Sequence, residues 1–260
     1  RDEDDLDETE IQDEETNEYD WLVIETALEV VAALATALGD QFGTLWKIFE
    51  THIYKFASSQ ERFERSAAIG TMADCIEAMG SACTPYTKRM LSIILKRLRD
   101  EDPETKSNAA FGAGLLCLNS KDVKELQPAY PTILSLLEPM LDTSPKSSGP
   151  ASAEAEARAR LVDNAAGCVA RMISAAPQGV PLAQVLPRLV SLLPLENDFR
   201  ENEPVFEMLI KLYQAQEPTA MGLKKEVLPV LQKVCGPPEE QVSDGLREQL
   251  VQLGGFLSGQ

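Results

Sequence analysis

The chain has 260 residues, 44% of them apolar, and a formal net charge of −18. That is ample material for an extended core, and the acidity excludes nucleic acid as a direct partner because phosphate backbones would be repelled. A single histidine and five cysteines without a C-x-x-C pair argue against a zinc site and a disulfide framework. The thiols read instead as free, in a reducing compartment.

In chain order, residues 1–18 are too charged to fold alone and read as a disordered acidic arm. Residues 1–20 hold twelve Asp or Glu against one Arg, a net of −11, leaving −7 for the rest. A basic protein or peptide is the natural electrostatic complement. Tyr19 to Leu38 follows as a leading helix, apolar around most of its circumference and stopped by Gly39. Glu25, Thr26, Glu29 and Thr36 interrupt it, so it reads as a helix covered on more than one side and not as a membrane span. No signal or transit pattern is legible, and the first residue is Arg, so the chain reads as a piece of a longer protein.

Residues 19–260 are then organised by a phrase of an apolar pair, one Ser or Lys, and a second apolar pair. It occurs as Leu45-Trp46-Lys47-Ile48-Phe49, Met90-Leu91-Ser92-Ile93-Ile94, Ile133-Leu134-Ser135-Leu136-Leu137 and Leu189-Val190-Ser191-Leu192-Leu193. A looser fifth copy is Leu231-Gln232-Lys233-Val234-Cys235. The intervals are 45, 43, 56 and 42 residues, the period of helix-pair arrays. The long interval holds a flexible insertion at 142–153. About five A/B helix pairs result: 40–57 with 60–79, 84–99 with 103–118, 128–141 with 153–175, 182–193 with 201–214, and 223–235 with 239–256. Thr84 is placed as an N-cap with Pro85 at the first helical position. Pro139, Pro187 and Pro229 should kink their A helices. No alternating stretch reads as a strand, so the fold class is an all-α HEAT-repeat α-solenoid.

The B helices carry Ala67-Ala68, Ala109-Ala110 and Ala165-Ala166, small enough for close approach to a neighbour. Before each pair stands a polar residue, Ser66, Asn108 or Asn164, and the same offset gives Glu207 and Gln249. Stacking turns that column into a ladder, with Glu104, Asp163 and Glu203 nearby. The candidate peptide-binding set is therefore Ser66, Glu104, Asn108, Asp163, Asn164, Glu203 and Glu207. Amides and carboxylates so spaced can bond an extended peptide's backbone and hold its lysines. The bland alternative is that they satisfy neighbouring loops. Phe111-Gly112-Ala113-Gly114 lacks the preceding strand of a nucleotide fingerprint and reads as close helix packing. No nucleophile, base and orienting group can be assembled around His52, so no catalytic residue, cofactor or metal ligand is nominated.

The run Asp163-Asn164-Ala165-Ala166-Gly167-Cys168-Val169-Ala170-Arg171-Met172-Ile173, with Val185-Leu186-Pro187 and Leu193-Pro194-Leu195-Glu196-Asn197-Asp198-Phe199, resembles the C-terminal HEAT repeats of the importin-beta (karyopherin-beta) superfamily. The resemblance covers residue 19 to the end, and it implies a nuclear import receptor that shuttles between cytoplasm and nucleus as a monomer. By that resemblance, basic cargo such as core histones or ribosomal proteins lies on a concave helix-B surface. Asn108 and Asn164 match the family's habit of Asn there. Ran-GTP and phenylalanine-glycine nucleoporins are implied partners of the whole receptor, with no membrane and no nucleic acid. The rival class is a HEAT scaffold subunit that grips folded partners through inter-repeat loops.

Overall fold

A computed structural model describes residues 4–141 and 153–259. Among them every regular element is helical. In order these are α1 (Asp4–Leu38), α2 (Phe42–Phe56), α3 (Arg62–Met79), α4 (Thr87–Arg97), α5 (Pro103–Asn119), the single turn α6 (Val123–Leu126), α7 (Tyr130–Leu137), α8 (Ala153–Ala175), α9 (Leu182–Val190), α10 (Asn202–Gln214), the short α11 (Pro218–Gly222), α12 (Lys224–Val234) and α13 (Asp244–Ser258). Short 3-10 turns join several of them.

The repeated phrase builds the row of A helices by a simple division of labour. Its polar third residue, Lys47, Ser92, Ser135, Ser191 or Lys233, is exposed in every copy, while Trp46, Met90, Ile94, Ile133, Leu137, Leu189, Val190, Leu231 and Val234 are buried. α2, α4, α7 and α12 lay their apolar stripes on the B helices α3, α5, α8 and α13, while α9 packs on the short α11. The B helices stack on one another in the order α1, α3, α5, α8, α10, α13, so that one apolar core runs through the array. The small residues make this stacking close: Ala68, Ala109, Ala110, Ala165 and Ala166 are fully buried. At Gly114 the backbones come close, since a Cβ there would lie 2.8 Å from Cys168 Cα.

Several expectations need correction. The first helix starts at Asp4, inside the acidic stretch and well before Tyr19. Glu is a good helix former, and acids in the first turns are favoured by the helix dipole. Nor is α1 covered on most sides: Leu28 and Ala35 are buried, whereas Leu22, Val23, Val30 and Leu34 are exposed. The stretch Trp21–Phe56 is long and apolar enough, by length and composition, to cross a membrane. It is broken at Gly39, whose φ of +56° turns the chain so that α2 folds back toward α1. Thr84 does not cap a helix. It lies in the 3-10 segment Gly80–Tyr86, where its hydroxyl donates to the Ser81 carbonyl and accepts from the Lys121 amide of the next hairpin. Pro139 falls beyond the end of α7, whereas Pro187 and Pro229 lie inside α9 and α12. The stretch read as an insertion lies outside the described residues, apart from Ala153, which opens α8.

Neighbouring hairpins are pinned by buried charge. Asp100, in the turn between α4 and α5, accepts from Arg65 Nε (2.9 Å) and Nη2 (3.0 Å) on α3 and from Arg97 Nη1 (2.5 Å) on α4. Burial pushes the Asp100 carboxyl up, but the bonds from Arg65, Arg97 and the Asp102 amide outweigh it and hold the group at about 2. A depressed carboxylate stabilises the fold above its unfolded pKa and loses that contribution as pH falls through the folded value. Asp100→Asn should therefore lower stability by about 2 kcal/mol at neutral pH. Chemical denaturation should show the gap to wild type closing between about pH 4 and pH 2; a gap independent of pH would contradict the ionic account.

Candidate functional site: a cleft across the B helices

The B helices leave one face free, and a cleft of about 220 Å³ lies on it between α3, α5, α8 and the turn Phe199–Glu201 before α10. Gly70 and Asp74 line it from α3, Glu104, Asn108 and Phe111 from α5, and Arg160 and Asn164 from α8. Asp198, Arg200 and Glu201 close it from the turn. Four carboxylates thus face two arginines.

Three of the residues expected from sequence meet here: Glu104, Asn108 and Asn164. Asn108 Nδ2 donates to the Ser66 carbonyl (3.0 Å) and to Ser66 Oγ (3.1 Å), so Ser66 is buried beneath it and engaged. Asn164 Nδ2 donates to the Arg160 carbonyl and to Asp198 Oδ2. The other members of the expected set lie outside the cleft lining. Asp163, 2% exposed, accepts from the Asn197 and Asp198 amides at 2.7 and 2.8 Å. It anchors the loop that carries Asp198, Arg200 and Glu201 into place. Glu203 accepts from the Ser243 amide at 2.7 Å, tying α10 to the start of α13. Glu207 is exposed and 3.9 Å from Lys211 on its own helix.

The cleft's far wall is a buried pair. Arg171 Nη1 and Nη2 donate to Glu201 Oε2 and Oε1 at 2.6 and 2.9 Å, and the Arg171 guanidinium stands 5.0 Å from the centre of the Phe111 ring. Burial pushes the Glu201 carboxyl up, with Arg171 pulling the other way. Glu201 reaches its partner by passing over Gly167, where a Cβ would collide with the carboxylate. On α3, burial and then Glu77 push the Asp74 carboxyl above its usual range, and Arg200 opposes them. An added cation at that position would relieve the cost of keeping Asp74 ionised. Among the described residues no group of three or more His, Cys, Asp or Glu could hold a metal. Cys75, Cys83, Cys117 and Cys168 are buried.

Solved structures share this architecture. The chain superposes on a chain of the complex of Kap95p with RanGDP with a TM-score of 0.66 at 12% identity, over 91% of this chain and 28% of that one. A designed armadillo repeat protein solved with the peptide (KR)4 gives 0.51 at 16% identity, over 89% and 91%. The class is a helical-repeat solenoid of the HEAT and armadillo type.

In sequence, residues 9–111 match the family model for importin subunit beta-1-like TPR repeats. The chain is 34% identical to the probable importin subunit beta-4 of Schizosaccharomyces pombe over 96% of its own length and 22% of the relative's. It is 30% identical to human Importin-4 over 94% and 21%. The chain belongs to the importin-beta family, and it spans about a fifth of the length of these curated relatives.

Gly167→Ala tests the wall. Alanine is the better helix former by about 1 kcal/mol, so an unhindered site would gain stability. The clash with Glu201 should instead lower the melting temperature, and a rise would show that the Arg171–Glu201 pair does not depend on that glycine.

Proposed function

We propose that this chain is a cargo-binding part of a nuclear import receptor and that the cleft across its B helices seats a lysine-rich segment of the cargo. The observation that carries this reading is the cleft itself. Asp74, Glu104 and Asp198 face a half-buried aromatic ring, Phe111, and the amides of Asn108 and Asn164. A lysine's aliphatic stem can lie along the ring while its ammonium is shared among the carboxylates. The chain's net charge of −18 attracts basic segments at long range. Exposed contacts of this kind contribute only about 0–1 kcal/mol each, so an extended segment with several cations is the fitting ligand.

The family supports import as the setting. The designed armadillo protein, solved with a (KR)4 peptide, supports the fitness of such a fold for a cationic chain. Core histones and ribosomal proteins are the cargo class this reading favours. Ran-GTP and phenylalanine-glycine nucleoporins act on the whole receptor, which shuttles between cytoplasm and nucleus. No residue of this chain is assigned to either.

Fluorescence anisotropy with a labelled lysine-rich peptide tests the site. The triple variant Asp74→Asn, Glu104→Gln, Asn108→Ala should weaken binding at least several-fold, and acetylating the peptide's lysines should do the same to the wild-type protein by removing charge. Unchanged affinity in both arms would remove the cleft from consideration. Loss of binding only with changes in the inter-hairpin loops would favour a scaffold that holds folded partners.

A further inference from the structure

Two guanidinium groups reach the Phe111 ring, and they are held very differently. Arg171 is buried, bonded through both nitrogens to Glu201 and enclosed by the stacked helices. Arg200 is exposed. Its Cζ stands 5.8 Å from the ring centre, and its Nη2 lies 3.5 Å from Glu77 Oε2 on α3, with side chains 72% and 46% exposed. The contact joins residues 123 positions apart, whereas bonds between adjacent hairpins, such as Tyr86 to Gly43 and Asn108 to Ser66, span 43 and 42 positions. The side chain therefore crosses from the turn before α10, over α5, to α3. Its backbone is fixed separately, because the Arg200 amide donates to Asp198 Oδ1 at 3.2 Å. The guanidinium can leave while the turn stays in place.

We infer that Arg200 is a built-in competitor for the cleft, a cation of the protein's own that occupies the aromatic and acidic seat and sets the threshold for ligand cations. This rests on reading the cleft as a seat for lysine-rich segments. A guanidinium against a ring and two carboxylates makes the same kinds of contact that an incoming lysine would make. Its exposed, single-contact ion pair with Glu77 is of the weak class that salt and competing charge displace. Asp74 points the same way: Arg200 is the cation that opposes its desolvation and the push from Glu77. A segment carrying one cation must exchange one charge for another with little net gain. A segment carrying several keeps its remaining contacts while one of them displaces Arg200. The residue thereby favours multiply charged segments over isolated lysines, a specificity role distinct from that of the acids that attract them.

The test is an anisotropy titration of the 260-residue chain with a fluorescent lysine-rich peptide, using Arg200→Ala, Arg200→Gln and Arg200→Lys. Because the side chain is exposed, all three should melt at the wild-type temperature. Removing the competitor should tighten binding about threefold or more in the Ala and Gln variants. The Lys variant, which keeps a cation, should stay close to wild type. A peptide with one lysine should gain proportionally more than one with six. If Asp74→Asn and Asn108→Ala weaken binding while Arg200→Ala leaves it unchanged or weaker, Arg200 is not a competitor and this inference falls, the cleft reading standing. If the peptide binds wild type and none of the cleft variants alters it, the cleft reading falls and takes this inference with it.

Discussion

Close approach of the B helices is the constraint from which the rest of the structure follows. Helices separated by bulky side chains would keep polar residues on adjacent repeats out of mutual reach. Here Ala68, Ala109, Ala110, Ala165 and Ala166 are fully buried between neighbours, and Gly114 lets α5 approach the backbone of α8 at Cys168. At that distance the polar residue before each alanine pair meets the next repeat: Asn108 bonds Ser66, and Asn164 bonds Asp198. The alanines set the spacing, and the spacing makes the polar face a connected surface instead of a row of isolated groups.

Charge has two roles in this array, separated by burial. The Arg65–Asp100–Arg97 cluster and the Arg171–Glu201 pair are enclosed and joined by several short bonds. Breaking one partner of such a pair leaves an uncompensated charge, so these groups hold the register of one hairpin against the next. Arg200 and Glu77 are exposed and meet at a single longer contact, which suits exchange more than support. The two classes converge on Phe111, which has the fixed guanidinium of Arg171 and the movable one of Arg200 within reach. An acidic surface that also contains its own cations discriminates among basic ligands better than uniform acidity would.

The repeat was legible in the sequence because it is local. The phrase places apolar residues on one stripe with an exposed polar residue at its third position, and an alanine pair recurs in each of three B helices. Asn108 and Asn164 could be placed on one face by their position before the alanine pairs, and Glu104 lies one helical turn before Asn108 on the same helix. Asp198, Arg200 and Glu201 could not, since they sit in a turn whose position depends on Asp163 accepting two loop amides from the next repeat. Asp163 and Glu203 were expected at the ligand surface for the converse reason. A carboxylate on a B helix looks the same in sequence whether it meets a ligand or a backbone amide of the following hairpin. The exposed apolar side of α1 was missed because apolar content around a whole helix implies cover but does not say whether the chain itself provides it. Pro139 was placed inside α7 because no sequence marker shows that the helix stops at Leu137, four residues before the expected end at Leu141.

The account comes to a single claim, that the free face of the B helices, and not the loops between hairpins, receives a cationic chain. Hydrogen–deuterium exchange of the chain with and without a saturating lysine-rich peptide addresses it directly. The account predicts slowed exchange in residues 70–77, 104–111, 160–164 and 198–201, with the A helices unchanged. Protection confined to the connecting segments 80–86 and 119–129, with none at 104–111, would contradict it.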